Sequence, residues 1–183
     1  MRQINSFNIR LLTLDDLENW LKQCEILSSE SGENNIYFGA YSITEPYPTE
    51  EIKKNTIERW SKSLDNTGWR MAWGIFDSDR IIGSADIAGG DLPTSLHRVD
   101  FGIGIIKEYR NLYLGSKLIT TIIDWCKEQP SISWIDLGVF SGNDVAKIVF
   151  EKNGFKEIGY KEDAWLVDGN SVGETLMTIS VNN

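Results

Sequence analysis

The stretch Val99-Asp100-Phe101-Gly102-Ile103-Gly104-Ile105-Ile106 constrains the fold of this chain more than any other. It is almost continuously apolar, so it needs cover on both faces, which places it inside a sheet rather than at an edge. Gly102 and Gly104 mark a bulge or a close approach to the backbone. Beyond the loop from Lys107 to Leu114, the pairs Leu118/Ile122 and Ile119/Ile123 predict an amphipathic helix from Gly115 to Glu128. A buried strand entering a helix through a short loop gathers unpaired N–H groups and the positive end of the helix dipole at one place. That place suits a phosphate or pyrophosphate, with Arg110 and Lys117 adding charge, although a plain strand-to-helix connection has the same local features. It is not a Walker loop, since no Gly-Lys-Ser/Thr follows, and Gly102-x-Gly104 lies within the strand, unlike a dinucleotide fingerprint.

The rest of the pattern alternates around this unit. A short strand at Ile9–Thr13 precedes a helix capped by Thr13, with Asp15 and Asp16 in its first turn and Leu14, Leu17 and Leu21 on one face. Polar, turn-rich sequence from Ser28 to Pro48 reads as loop, or a very short helix within loops, and Thr49 opens a helix that runs to about Leu64. Trp69–Phe76 and Ile81–Ala88, parted by a polar turn, form a hairpin. Ile132–Val139 is a strand and Val145–Lys152 a helix stopped at Asn153-Gly154. Phe155–Leu166 and Val172–Val181 are strands about the turn Asp168-Gly169-Asn170. The expected class is α/β (α+β), with seven strands in a mixed, mostly antiparallel sheet and helices on both faces.

The 183 residues suit one domain, 1–183, and 41% hydrophobic content sets aside disordered or low-complexity chains. Net charge is −9, from 18 basic and 27 acidic residues, which argues against nucleic acid as a partner. Cys24 and Cys126, far apart and outside any zinc spacing, read as reduced thiols of a cytoplasmic protein. His97 is the single histidine, so no metal site is expected. No apolar run approaches a membrane span, and no signal peptide is visible. Trp69, Trp73, Trp125, Trp134 and Trp165 fall on strands or helices at core spacings, so packing is their expected role.

Lys107-Glu108-Tyr109-Arg110-Asn111-Leu112-Tyr113-Leu114-Gly115-Ser116 resembles the pyrophosphate loop of the GNAT superfamily of N-acetyltransferases. Arg110 and Gly115 match the first and last fixed positions of that pattern, and Tyr113 stands where its middle glycine falls. Asn143-Asp144-Val145-Ala146-Lys147-Ile148-Val149-Phe150-Glu151-Lys152-Asn153-Gly154-Phe155 is similar to a second family block, with Phe150 in place of a tyrosine. The ending, Asp168-Gly169 and then Glu174-Thr175-Leu176-Met177, resembles the last hairpin of ribosomal-protein and polyamine acetyltransferases.

The resemblance implies acetyl transfer from acetyl-CoA to a primary amine, with acetyl-CoA as co-substrate and no metal. In such proteins the donor lies in a splayed gap between the fourth and fifth strands. It would meet the backbone of Ile105 and Ile106, and its pyrophosphate the N–H groups from Arg110 through Tyr113, Leu114 and Gly115 to Ser116. Asn143 would contact the pantetheine amides, and Lys152 the adenosine or phosphate end. Tyr113 would resist the positive φ that a glycine takes easily. Asp100 is the candidate base, Asp86 the reserve and His97 a lesser one; the bland alternative pairs Asp100 with Arg98 or His97. Phe150 cannot protonate a leaving thiolate. Tyr37, Phe38 and Tyr41 would shape the acceptor site, with Glu33 or Glu45 drawing the amine's charge. The acceptor is a small amine or a protein amino group, and a homodimer stays open. Tyr113 and Phe150 also suit a rival reading, a CoA-binding module with weak catalysis.

Overall fold

The computed structural model describes residues 7–182. Its strands are β1 (Asn8–Leu11), β2 (Arg70–Asp77), β3 (Arg80–Gly89), β4 (Arg98–Ile105), β5 (Trp134–Phe140), β6 (Lys156–Val167) and β7 (Asn170–Ser180). They form one sheet in the order β1-β2-β3-β4-β5-β7-β6, and β4–β5 is its parallel pair. Four α-helices cover it: α1 (Leu17–Ser29), α2 (Thr49–Trp60), α3 (Leu114–Lys127) and α4 (Asp144–Lys152). No helix among the described residues is long and apolar enough to cross a membrane.

Each helix reaches the sheet through its apolar stripe. Leu17, Trp20 and Leu21 of α1 and Ile52 of α2 join Leu12, Ala72, Phe76 and Ile81 in a core on one face. On the other face Leu118, Ile119 and Ile122 of α3 and Phe150 of α4 meet Ile75, Ala85, Ile87 and Phe101. Burying an aliphatic side chain of this size contributes about 1.5–3 kcal/mol, so the α3 stripe alone anchors that layer. Trp69 and Trp73 are buried, and Trp125 packs edge-on to Trp73, but Trp165 on the edge strand β6 is 40% exposed. Core spacing alone does not bury a residue on an edge strand.

Boundaries shift where side chains intervene. The Asp16 carboxylate accepts from the Thr13 N–H (2.9 Å) and hydroxyl (3.2 Å), and the first turn, Leu14–Asp16, is 3-10 rather than α. Leu14, placed on the apolar face by its spacing, is exposed in that tighter turn. The second helix ends at Trp60, short of Leu64, where Ser61 donates its hydroxyl to the Glu58 carbonyl. β4 carries no bulge, since its register with β3 is regular from Gly83–Ile105 to Gly89–Val99. Its glycines answer close approaches instead. A Cβ at Gly104 would collide with Leu27 of α1, and one at Gly102 would sit 3.2 Å from Asp86.

One departure from regular pairing positions the site. β4 and β5 are joined only from Arg98–Trp134 to Asp100–Asp136. Beyond that rung β4 follows β3, while β5 stays with β7 as far as Phe140–Glu174. Each strand keeps its antiparallel neighbour, and the sheet splays between them.

Candidate active site

The near bank of the splay is the outer edge of β4. Ile106 donates its N–H to the Ile82 carbonyl (3.1 Å), and its own carbonyl accepts from Tyr109 N–H (2.9 Å). Backbone groups alternate in direction along a strand, so the N–H groups of Ile103 and Ile105 point away from β3, into the splay. The expectation for Ile105 and Ile106 therefore divides. The Ile105 amide faces the gap, whereas that of Ile106 is committed to β3.

At the end of the splay the chain turns into α3. Asn111 (φ 64°) and Tyr113 (φ 60°) take left-handed conformations, and Tyr113 is the N-cap of the helix. The first amide to bond back is Lys117 N–H, to the Tyr113 carbonyl (3.2 Å). Among the described residues the N–H groups from Asn111 to Ser116 have no protein acceptor. Leu114, Gly115 and Ser116 thus present bare amides at a helix N-terminus, a donor set that fits a pyrophosphate. A Cβ on Gly115 would meet nothing within 4 Å, so the approach is open. Tyr113 adopts the positive φ that a Cβ disfavours and turns its ring to solvent, 83% exposed. Lys117 is exposed in the first turn, and Ser116 Oγ accepts from Asn153 Nδ2 (3.3 Å).

Arg110 is placed differently from the sequence expectation. Its backbone N–H donates to the Lys107 carbonyl (3.3 Å). Its guanidinium turns inward, donating from Nε to the Ile105 carbonyl (2.8 Å) and pairing with Glu30 at the end of α1. On the far bank Asn143 caps α4, its Oδ1 accepting from Ala146 N–H (3.3 Å). Phe150 is buried, edge-on to Phe101 with 6.0 Å between ring centroids and against Phe155 at 5.5 Å.

On the α1–α2 face of the sheet lies a cavity of about 300 Å³. Trp20, Phe38, Tyr41, Tyr47 and Ile52 supply its apolar wall, and Ile103 and Gly104 are shared with the unpaired stretch of β4. Its charged residues are Arg59, Arg70 and Asp86. Arg70 Nε lies 2.7 Å from Asp86 Oδ2, and this carboxylate holds the guanidinium pKa above its ordinary value. Burial pushes the Cys24 thiol up to about 12 and raises the Tyr47 phenol as well, so neither is ionised near neutrality. Phe38 and Tyr41 line the cavity, but Tyr37 is buried with Val167 and Val172. Glu33 is paired with Lys107 (2.7 Å), and Glu45 is not part of the wall. Arg59 and Arg70 escaped the sequence reading. The hairpin register held the signal for Arg70, because Arg70–Ala88 and Ala72–Asp86 are successive same-face rungs.

Asp100 occupies the last rung before the splay, opposite Asp136, on the sheet face of Gly102 and Asp86. It is exposed, and its pKa is raised, first by desolvation and then by the Asp136 carboxylate. Arg98 does not pair with it but binds Asp136 through Nε (2.7 Å) and Nη2 (2.5 Å). The His97 side chain is exposed, while its carbonyl accepts the N–H groups of Ser133 and Trp134.

The model of the acetyltransferase (GNAT) family matches residues 14–155. The L-amino acid N-acetyltransferase AaaT of Escherichia coli (strain K12) is 27% identical over 128 residues, 69% of this chain and 74% of that protein. A GNAT-family acetyltransferase structure from Streptococcus pneumoniae aligns with a TM-score of 0.80 at 22% identity, over 96% of this chain and 99% of that one. The structure of yncA from Salmonella typhimurium, determined with its cofactor acetyl-CoA, aligns at 0.77 with 14% identity, over 97% and 95%. These two share the fold, and the matched range includes both blocks of the resemblance read from the sequence. The chain belongs to the GNAT family and is an acyl-CoA-dependent N-acetyltransferase.

Proposed function

We propose that this chain acetylates the primary amine of a small acceptor that also carries a carboxylate, an amino acid or a compound of that kind. The observation that carries this reading is the charge of the cavity. Arg70 and Asp86 neutralise each other, and Arg59, which spends Nε on the Gly68 carbonyl (2.9 Å), keeps its terminal nitrogens for an anion. A polyamine asks for carboxylates, and the wall offers it none that is uncommitted. The relative that acts on L-amino acids supports the same class.

Acetyl-CoA supplies the acetyl group as a thioester. The bare amides from Asn111 to Ser116 hold its pyrophosphate, Lys117 adds charge, and Asn143 Nδ2 donates from the far bank. The N–H groups of Ile103 and Ile105 polarise the thioester carbonyl as negative charge gathers on its oxygen. The amine nitrogen forms the new C–N bond as the C–S bond breaks, with no covalent enzyme intermediate. Asp100 takes the amine's proton through water, and its raised pKa makes it a better base than an ordinary carboxylate. Solvent protonates the departing thiolate, because Phe150 has no proton to give.

Two measurements test the reading. Thermal shifts with CoA and acetyl-CoA, each at about 100 times Kd, should reach roughly 5–10 °C, with none for ATP. Thiol release should be seen with L-amino acids and lost with the same amines lacking the carboxylate. Faster turnover of spermidine than of any amino acid sinks the acceptor assignment.

A further inference from the structure

The side chain at the first fixed position of the pyrophosphate loop faces the acceptor side of the molecule. We propose that Arg110 is a positioning residue that fixes one wall of the amine cavity to the end of β4, and that its charge does not serve the phosphates. The proposal rests on the cavity being the amine site.

Five contacts carry it. The Arg110 guanidinium carbon lies 4.5 Å from the centre of the Phe38 ring, and Phe38 lines the cavity. Nε donates to the Ile105 carbonyl (2.8 Å), whose own amide faces the splay. Nη2 pairs with Glu30, and the Glu30 carboxylate also accepts the Lys107 N–H at 2.9 and 3.1 Å. Phe38 N–H donates to Ser31 Oγ (3.1 Å), and Ser31 lines the cavity too. One guanidinium thus joins the last residue of β4, the end of α1 and an aromatic ring of the acceptor wall.

Charge points the same way. Glu30 neutralises Arg110, with side chains only 15% and 30% exposed, so a phosphate brought to this guanidinium would also meet a carboxylate. Planarity explains why arginine suits the position. Its face stacks on a ring while its edge donates in two directions, which the ammonium of lysine cannot reproduce.

The test compares Arg110→Met, Arg110→Lys and Glu30→Gln with the parent chain, using CoA in calorimetry and an L-amino acid in thiol-release kinetics. The proposal expects the Kd of CoA to stay within about threefold in Arg110→Met while the acceptor KM rises about tenfold or more and the KM of acetyl-CoA holds. Arg110→Lys should not restore the acceptor KM, and Glu30→Gln should raise it in the same direction. Amide hydrogen exchange at Phe38 and its neighbours should quicken in all three variants, a readout that needs no turnover. A tenfold loss of CoA affinity with an unchanged acceptor KM returns Arg110 to the phosphates and overturns the proposal. A uniform fall in kcat, CoA affinity and thermal stability makes it a mere structural strut, which overturns it too. If the parent chain acetylates no amine, the acceptor reading fails by itself, and CoA binding with hydrogen exchange still decides the role of Arg110.

Discussion

Asp100 and Asp136 face each other across the last rung joining β4 to β5, and of the two carboxylates Arg98 binds Asp136. Desolvation first, and the Asp136 carboxylate second, raise the Asp100 pKa at the mouth of the splay. Asp100→Asn should lower kcat by about 10²-fold or more with the Kd of CoA unchanged. Its stability effect has a definite sign. A carboxyl whose folded pKa is raised holds its proton more tightly when folded, so its ionised form is destabilising above that pKa and neutral below the unfolded value. The Asn variant should therefore melt slightly higher at about pH 8 and equally at about pH 3. Arg98→Met, which frees the Asp136 charge, should move the acidic limb of kcat/KM to higher pH.

Tyr113 bears a left-handed backbone with its ring in solvent. That conformation costs a residue with a Cβ about 1–2 kcal/mol, and glycine returns part of the gain through unfolded-chain entropy. Tyr113→Gly should raise Tm by about 1–4 °C. Tyr113→Ala, which keeps the Cβ, should leave Tm in place. CoA affinity should hold or tighten in the glycine variant, because the bare amides remain; calorimetry reads this.

Gln23 is 1% exposed and anchors a buried polar chain. Ser84 donates to its Oε1 (2.7 Å), and Trp20 Nε1 donates to Ser84 Oγ (3.2 Å). Gln23→Leu strands the Ser84 hydroxyl and should cost about 1–3 kcal/mol, read by denaturant unfolding. Adding Ser84→Ala should recover only part of this, since Trp20 then loses its acceptor.

Arg10 holds Asp16 at the start of α1 through two contacts of 2.7 Å and pulls its pKa from 3.8 to about 2. A depressed carboxyl pKa stabilises the fold above the unfolded value, and that contribution fades as pH falls through the folded one. Arg10→Met should thus lower Tm at neutral pH, and the difference from the parent chain should shrink between about pH 4 and pH 2. The pair is partly exposed, so high salt should also narrow the gap.

Much of the fold was legible in the sequence because its signals are local. The succession of elements along the chain follows from alternating apolar runs, the α3 stripe from its helical period, and the central place of β4 from apolarity on both faces. The bare amides before α3 were equally legible, since a strand-to-helix loop exposes them whatever surrounds it. Trp165 and Leu14 misled because burial depends on whether another element covers the residue, and their own spacing is silent on that. Ile106 misled through backbone parity, set by the register with β3.

The pairing of charges was decided in three dimensions. Glu30 and Arg110 lie 80 positions apart, Arg98 and Asp136 38 apart, and Arg70 and Asp86 16 apart, and in each case the pairing chose the partner's role. By itself the sequence determined the elements, their order and the anion-ready turn, which depend on neighbouring residues. Only the tertiary structure decided which charges are spent on one another and which remain for a substrate, because an ion pair depends on distance through space and not along the chain.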